Sequence, residues 1–283
     1  MILYLVQAFS DNASGGNGAG VAISEDGRLP SEKFMLETAA LLGFSETAFL
    51  APVKGGWRIR YFTPVAEIDL CGHATVAAGR VLRESGVPDG DYMFQTNAGE
   101  LRVTVGETVT MDMTKPECLK VIESPEEIEV LMGALGGNSS MLIPGMYPEI
   151  ITTGLPDIIV PLRSAEALAA LCPDTDALKN ISRDWDCVSV HAFALGDDCD
   201  ARCRDFAPIV GVAEESATGT ASGALTHYLH RRNLLTPPST AVFIQGESMS
   251  RPSQIKTELR TDGSIRVGGK AYILGRKRIF EEA

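Results

Sequence analysis

Three short segments of the sequence carry side chains suited to moving a proton or holding a carboxylate. In the first, residues 44–49, Glu46 stands between Ser45 and Thr47 and leads into an apolar run. We expect this glutamate to lie partly buried at the wall of a cleft, where burial would raise its pKa and suit it to proton transfer near neutral pH. The alternative is an ordinary surface or helix-capping glutamate.

The second segment, residues 67–73, opens a predicted helix and places His73 in its first turn. The positive end of the helix dipole disfavours an imidazolium, so we expect a neutral ring that donates a hydrogen bond to a substrate. Asp69 in the same segment is interpreted as a helix cap. The alternative for His73 is a histidine packed in the core.

The third segment, residues 214–220, places Glu214 and Glu215 just before a predicted helix that begins near Gly219 and Thr220. Acidic residues are common at the starts of helices, where they interact favourably with the dipole. The competing hypothesis is that one of these carboxylates orients an amine or hydroxyl of a substrate.

Neither a metal nor a cofactor is predicted. Cys199 and Cys203 lie four residues apart and follow Cys187 and His191, but no second pair with metal-ligand spacing accompanies them. The glycine-rich run at residues 14–20 does not fit a nucleotide-binding pattern, and no other cofactor motif appears.

The surroundings of the second and third segments repeat one another. An R-x-F-x-P pattern precedes each predicted helix, a G-x-A-[ST] pattern opens it, and a shorter V-x-A-F match occurs earlier in the chain; the paired ranges are 60–64 with 204–208, 72–75 with 219–222, and 6–9 with 190–193. Three matches in the same order predict an internal duplication.

Such a duplication predicts two similar halves, each with the N-terminus of a central helix. Free amides and the dipole at a helix start are each worth about 0.3–1 kcal/mol to an anion. Gly72 and Gly219 would let the backbone approach a ligand closely. We therefore expect both helix starts to face a cleft between the halves that binds a small carboxylate.

The elements that must position these residues are mostly short strands. Runs rich in β-branched and aromatic residues, bounded by turn residues, predict strands at 2–9, 20–23, 47–51, 57–62, 92–96, 101–105, 109–113, 157–161, 189–194, 241–245, 255–260 and 265–268. Helical patterns cover 31–42, 73–85, 125–135, 165–171, 174–180 and 220–233. Because regular βαβ alternation is absent, we predict an α+β protein with antiparallel or mixed sheets around a few helices.

Composition excludes several classes of partner. The 283 residues include 25 Lys and Arg against 37 Asp and Glu, for a formal net charge of −12, which argues against nucleic acid and anionic membranes as partners. No apolar run is long enough to span a membrane. Without a secretion signal, the six cysteines are expected to be reduced thiols of a cytoplasmic protein.

Longer motifs resemble the phenazine-biosynthesis PhzC/PhzF-like isomerases. They are SETAFL at 45–50, RYFTPVAEIDLCGHATVAA at 60–78, TGLPDIIVPL at 153–162 and RDFAPIVGVAEESATGTASGAL at 204–225. The resemblance implies the fold of diaminopimelate epimerase, with two pseudo-symmetric halves that each curl a sheet around a central helix. We predict the halves as residues 1–115, joined by a returning strand near 271–283, and residues 116–270. Relatives in this family are often homodimers.

The resemblance also implies roles for particular residues. Glu46 matches the glutamate that shuttles a proton between two ring carbons, and Ser45 and His73 match its active-site neighbours. Glu215 and Thr220 match an aspartate and a serine of the family's second motif. The change from aspartate to Glu215 puts the identity of the substrate in question more than the type of reaction.

We therefore predict a cofactor-independent isomerase that acts on a small carboxylated, cyclic or unsaturated substrate. Glu46 is the predicted acid/base, and the predicted substrate-binding residues are Ser45, Gly72, His73, Glu215, Gly219 and Thr220. Two alternatives remain open: a racemase or epimerase that uses Cys71, whose partner position before Gly219 lacks a cysteine, and a non-catalytic binding protein on the same fold.

Overall fold

The structure is a computed structural model that describes residues 1–281, and the chain divides into two compact units. Unit 1 comprises residues 1–112 together with the chain from residue 268, and unit 2 is Met113–Val267. Within residues 1–281, no helix combines the length and the apolar composition that crossing a bilayer would require.

Unit 1 is a set of short strands with two helices. Its elements are β1 (Ile2–Ala8), β2 (Asn17–Ile23), α1 (Glu32–Leu42), β3 (Glu46–Val53), β4 (Gly56–Phe62), β5 (Glu67–Ile68), α2 (Gly72–Glu84), β6 (Gly90–Thr96), β7 (Gly99–Val105), β8 (Val109–Asp112) and β18 (Ala271–Arg278). β1 pairs antiparallel with both β2 and β18. β3 is parallel to β2 and antiparallel to β4, and β4 is in turn antiparallel to β5 and parallel to β6.

Helix α2 lies at the centre of unit 1 because its residues are small. It packs against β1, β2, β3, β7, β8 and β18, and most of its first three turns is buried. Gly79 shows how close the packing is, since a Cβ atom there would stand 2.5 Å from Cγ1 of Val109. A curled sheet around a small-residue helix is the arrangement predicted for each half.

Unit 2 is built from the same pattern. Its elements are β9 (Glu117–Val121), α3 (Pro125–Ala134), β10 (Glu149–Thr152), β11 (Pro156–Leu162), α4 (Ala165–Ala169), α5 (Thr175–Asp184), β12 (Ser189–Leu195), β13 (Ala201–Ala207), β14 (Val212–Glu215), α6 (Gly219–Arg231), β15 (Ser239–Gln245), β16 (Ser253–Leu259) and β17 (Ile265–Gly269), the last of which ends beyond the unit. β10 is antiparallel to β9 and β11, β11 is parallel to β12, and β12 is antiparallel to β13. β13 is antiparallel to β14 and parallel to β15. The central helix is α6, which packs on β10, β11 and β16.

The pairing pattern supports the predicted duplication and corrects one of its three matches. β1 to β6 with α2 correspond in pairing order to β10 to β15 with α6. The R-x-F-x-P motifs fall on β4 and β13, which are equivalent strands. Residues 6–9 begin in β1, however, whereas residues 190–193 lie in β12, the equivalent of β3, so that match is a coincidence of common residue types.

All six predicted helices are present, and their ends move by a few residues. The predicted first strand stops at Ala8 because Phe9 takes a left-handed backbone conformation, with φ of 62°. Strands β5, β9, β10, β13 and β14 were not predicted as such. They are short or rich in charged residues, and β13 forms because both of its edges are paired.

Candidate active site

The two central helices begin without a side-chain cap, unlike the peripheral helices. Within residues 1–281, neither the side chain of Cys71 before α2 nor that of Thr218 before α6 accepts a capping hydrogen bond from a backbone amide of the first turn. In each of the other four helices, the side chain of the N-cap residue accepts a hydrogen bond from a backbone amide of the first turn. These N-cap residues are Ser31, Ser124, Ser164 and Asp174. A capping side chain would occupy first-turn amides, so both central helices keep theirs available to a ligand.

Glu46 and His73 meet at the start of α2. Glu46 is the first residue of β3, and its Oε2 atom lies 3.1 Å from Nε2 of His73. Ser45 Oγ is 3.5 Å from the same nitrogen. The structure thus brings Ser45, Glu46 and His73 together beside Gly72, the first residue of α2. Gly72 also has a packing role, because a Cβ atom there would stand 2.9 Å from Cε of Met111.

Two polar side chains lie beside the other nitrogen of the ring. Nδ2 of Asn17 lies 3.2 Å from Nδ1 of His73, and Sγ of Cys71 lies 3.4 Å from it. Asn17, at the start of β2, is buried with 4% of its surface exposed. The sequence interpretation did not assign Asn17 to the site, although it stands in the Gly16–Gly18 segment that resembles an early family motif. When the ring is protonated both of its nitrogens donate, so the Cys71 sulfur is the acceptor for Nδ1–H while Nε2–H is directed toward Glu46.

The prediction of a raised pKa for Glu46 is wrong. Burial raises the pKa of Glu46, but hydrogen bonding and charge from His73, assisted by Ser45 and Cys71, outweigh burial and bring the pKa below its ordinary value of 4.5. The side chain is 18% exposed. Glu46 is therefore a carboxylate at neutral pH, which is the form that accepts a proton.

The prediction that His73 is neutral is also wrong. Burial lowers the pKa of His73, but Cys71 and Glu46 together raise it well above 6.5. Burial also raises the pKa of the Cys71 thiol, so the neighbouring charge that holds the proton on His73 is the Glu46 carboxylate. The helix dipole argues for a neutral ring, but an opposite charge 3.1 Å away is a stronger influence.

Three donor atoms in this site have the types and spacing that a metal could use. One ligand atom each from Glu46, Cys71 and His73 lies within 4.8 Å of the others. Zinc accepts carboxylate, thiolate and imidazole ligands, but it would have to displace the protons that Cys71 and His73 carry. The sequence prediction of no metal overlooked this group because Glu46, on β3, is distant in sequence from Cys71 and His73 at the start of α2.

The predicted residues of unit 2 lie at the start of α6. Glu215 is the last residue of β14, and its main-chain oxygen accepts a hydrogen bond from Nε2 of Gln245 at 2.7 Å. Gly219 and Thr220 are the first two residues of α6, and the carbonyl of Thr220 accepts a hydrogen bond from Thr153 Oγ1 at 2.9 Å. That these residues share a substrate with Glu46 and His73 stays a prediction.

A buried polar network lies beside them that the sequence did not predict. The carboxylate of Asp205 accepts hydrogen bonds from Ser189 Oγ at 2.8 Å and Thr218 Oγ1 at 2.9 Å, and Nδ1 of His191 lies 3.0 Å from it. Ser189 Oγ also lies 2.8 Å from Oδ1 of Asp157. Asp205 occupies the second position of the R-x-F-x-P motif, where nothing in the local sequence indicates burial.

Comparison with known proteins places the chain in a family. Residues 6–276 match the PhzC–PhzF family, described as phenazine biosynthesis-like protein. A protein of Deinococcus radiodurans named "uncharacterized isomerase" is 34% identical over 95% of this chain and 91% of its own length. The chain therefore belongs to the PhzC–PhzF family and is an isomerase of this class, as the motifs predict.

Solved structures agree on the fold. A PhzF-family protein of Bacillus anthracis superposes with a TM-score of 0.88 at 24% identity, covering 99% of both chains. A hydroxyproline epimerase of Agrobacterium vitis superposes with a TM-score of 0.62 at 14% identity, covering 98% of this chain and 91% of the other. The predicted fold class, shared by PhzF proteins and epimerases, is confirmed.

Proposed function

We propose that this isomerase moves a proton between two carbon atoms of a small carboxylated, cyclic or unsaturated substrate, with Glu46 as the acid/base and no cofactor. The observation that carries the proposal is the 3.1 Å contact between the Glu46 carboxylate and the His73 ring at an uncapped helix start. Ion-paired groups of this kind position a base and supply a positive charge beside it.

The reaction balances with these two side chains alone. The Glu46 carboxylate takes a proton from one carbon, which breaks that C–H bond and leaves the electron pair delocalised toward the substrate's carboxylate or double bond. Protonated His73 and the first-turn amides of α2 stabilise this negative charge. Glu46 then gives the proton to a second carbon, so that a new C–H bond forms and the double bond shifts.

The low pKa of Glu46 has a consequence for each half of this cycle. An ionised carboxylate is ready to accept the proton without first losing one to water. Once protonated next to His73, Glu46 is a stronger acid than an isolated glutamic acid, and it returns the proton readily. Ser45, 3.5 Å from Nε2, is placed to hold the ring or a substrate oxygen.

The experiment is solvent deuterium exchange with cyclic dienoic acids, for example cyclohexa-2,5-diene-1-carboxylate, followed by proton NMR. We expect the wild-type protein to catalyse exchange and double-bond migration. Glu46→Gln should lower the rate by about 10²–10⁴-fold because it removes the base. Its affinity for the compounds should change little, since the amides and His73 remain.

A matched control is Glu37→Gln, which changes an exposed glutamate on α1 whose nearest charged partner is Lys33 at 3.9 Å. This variant should keep the wild-type rate. Retention of most activity in Glu46→Gln would overturn the assignment of the acid/base.

The alternative use of Cys71 is favoured by one observation, the contact between its sulfur and the His73 ring. A thiol base that removes and returns a proton at one carbon would incorporate deuterium there without moving the double bond. Cys71→Ser would then abolish exchange. The raised pKa of Cys71 and the presence of Thr218 at the equivalent position of α6 favour Glu46 instead.

The cytoplasmic location, the homodimer and the absence of nucleic-acid and membrane partners stay predictions from sequence. The substrate-binding roles of Glu215, Gly219 and Thr220 belong to the same proposal, and they are supported by their positions at an uncapped helix start.

A further inference from the structure

Thr218 has the residue type and backbone of a helix cap but does not cap α6. Threonine is a preferred N-cap residue, and Thr218 has the extended conformation of one, with φ of −127° and ψ of 106°. Its hydroxyl points elsewhere, since it donates to Oδ2 of Asp205 at 2.9 Å and accepts from Nε2 of Gln245 at 3.1 Å.

The backbone of Thr218 is held by the same residues. Its amide donates to Oε1 of Gln245 at 3.1 Å, and Nε2 of Gln245 also donates to the carbonyl of Glu215. Gln245 is fully buried, so these bonds form away from solvent. Hydrogen bonds to Gln245 and Asp205 thus hold the segment from Glu215 to Thr218, which leads into α6.

Asp205 is the final acceptor in this series of hydrogen bonds. It is 1% exposed and lies among hydrogen-bond donors from three residues: Ser189, His191 and Thr218. Burial and the neighbouring Asp205 raise the pKa of Asp157 well above its ordinary value. A buried carboxylate surrounded by donors is a strong acceptor, and it holds the Thr218 hydroxyl firmly.

We infer that Asp205 is a positioning residue: it draws the Thr218 hydroxyl away from the first turn of α6 and so keeps the amides of that turn available to the substrate's carboxylate. This inference rests on the proposed function, which assigns Gly219 and Thr220 to substrate binding. Asp205 itself touches no substrate in this account, and its effect passes through Thr218.

The test compares three variants with the wild type: Asp205→Ala, Thr218→Val and the double variant. Without Asp205, the hydroxyl is free to turn and accept from the amides of Thr220 or Ala221, the positions that an N-cap serves. In the ligand-free protein, amide hydrogen exchange at these residues should slow by about threefold to tenfold in Asp205→Ala, the range expected of a cap. The double variant has no hydroxyl to form a cap, and its exchange should return to the wild-type rate.

Ligand binding provides the second readout, with cyclohex-1-ene-1-carboxylate as the probe and its neutral amide as the comparison. Asp205→Ala should weaken binding of the carboxylate by about the same threefold to tenfold, because the probe must displace the new cap. Adding Thr218→Val should restore binding. If Asp205 only stabilised the fold, the double variant would bind the carboxylate no more tightly than Asp205→Ala does.

Asp157→Ala is the matched control, since it deletes the other buried carboxyl of the network without touching Thr218. It should leave both the exchange rates and the affinity for the probe unchanged. The inference is overturned if Asp205→Ala leaves both readouts unchanged, or if the double variant does not recover. If Asp205→Ala does not fold, Asp205→Asn replaces it, because the neutral amide is a weaker acceptor for the Thr218 hydroxyl; the same slower exchange and weaker binding are expected, with recovery when Thr218→Val is added.

The design separates this inference from the proposed function. If the carboxylate does not perturb the amide resonances of Gly219 and Thr220 in the wild type, the proposal that substrate binds at α6 is wrong. The exchange experiment still tests the role of Asp205 in that case. If it does perturb them and Asp205→Ala has no effect, only the role of Asp205 fails. Glu46→Gln should not alter either result.

Discussion

Units 1 and 2 carry different chemistry at equivalent positions of the same strand pattern. Thr47 pairs with Phe62 in unit 1 and Val190 pairs with Phe206 in unit 2, where both phenylalanines belong to the repeated motif. The preceding residues, Glu46 and Ser189, are therefore equivalent. Glu46 contacts a histidine at a helix start, whereas the hydroxyl of Ser189 is used within a buried network.

The same holds at the helix starts. Cys71 in unit 1 and Thr218 in unit 2 both precede an uncapped central helix, and each turns its side chain to another partner: His73 and Asp205 respectively. The comparison teaches that duplication supplied two uncapped helix ends, each with a carboxylate beside an imidazole. In unit 1 these are Glu46, which is 18% exposed, and His73 of the first turn of α2, whereas in unit 2 they are Asp205 and His191, which are both buried. The proposed function accordingly assigns chemistry to unit 1, and binding and positioning to unit 2.

The largest expected difference between the two units is that between His73→Gln and Thr220→Val, which change the equivalent second residues of α2 and α6. His73→Gln should lower the exchange rate by about 10²–10³-fold, because the charge that stabilises the intermediate is lost. Thr220→Val should mainly weaken binding of the dienoic acid. Equal losses of maximal rate in both variants would contradict the division of roles.

A second comparison concerns the arginines of the repeated motif. Arg60 forms a two-point pair with Glu67, and Arg204 forms the same pair with Glu214. Arg204 is less exposed and also donates to the carbonyls of two further residues, Leu168 and Leu171. We therefore expect Arg204→Met to lower the free energy of unfolding by about 2–3 kcal/mol and Arg60→Met by about 1 kcal/mol. Urea unfolding of both variants measures the difference, and a larger loss at Arg60 would contradict it.

A third prediction concerns pH and applies to unit 1 alone. The raised pKa of His73 means that its stabilising contribution is fully present below pH 6.5 and is lost as pH rises through the folded-state pKa. The lowered pKa of Glu46 means that its contribution is present above pH 4.5 and is lost as pH falls. The difference in melting temperature between wild type and His73→Gln should therefore be largest between these limits and shrink on both sides. NMR titration should show the His73 pKa falling in Glu46→Gln.

The smallest expected effect is that of a chelator. In the part of the chain that the structure describes, residues 1–281, only unit 1 offers a thiol beside a histidine and a carboxylate at its helix start, since Thr218 replaces the cysteine in unit 2. If Glu46 and His73 act as proposed, dialysis against EDTA should leave the exchange rate unchanged. Loss of activity with recovery on adding zinc would show instead that the three donors bind a metal.

The sequence predicted the features that reside in local patterns. Both central helices, the duplicated motif and the placement of Glu46 and His73 in one site followed from short runs of residues and their resemblance to a family. Asn17 was missed because it reaches His73 only when β2 lies parallel to β3. The Asp205 network was missed because its members come from separate strands and look like surface residues in a linear sequence.

The charge states were the other failure, and for a related reason. A sequence pattern can suggest burial or a nearby helix dipole, and the expected effect of each on a pKa applied to one residue at a time. The actual pKa values of Glu46 and His73 depend on the distance between them, which no sequence spacing reveals.

The return of β18 to pair with β1 has a consequence for how the protein is made. Unit 2 is one continuous stretch, so all of its residues are synthesised before residues 271–278. Unit 1 needs both ends of the described chain, a pairing of very high sequence separation that forms slowly. The part that carries Glu46 is therefore expected to complete its folding last, and a released chain truncated after residue 270 should hold a protected unit 2 and a protease-sensitive unit 1.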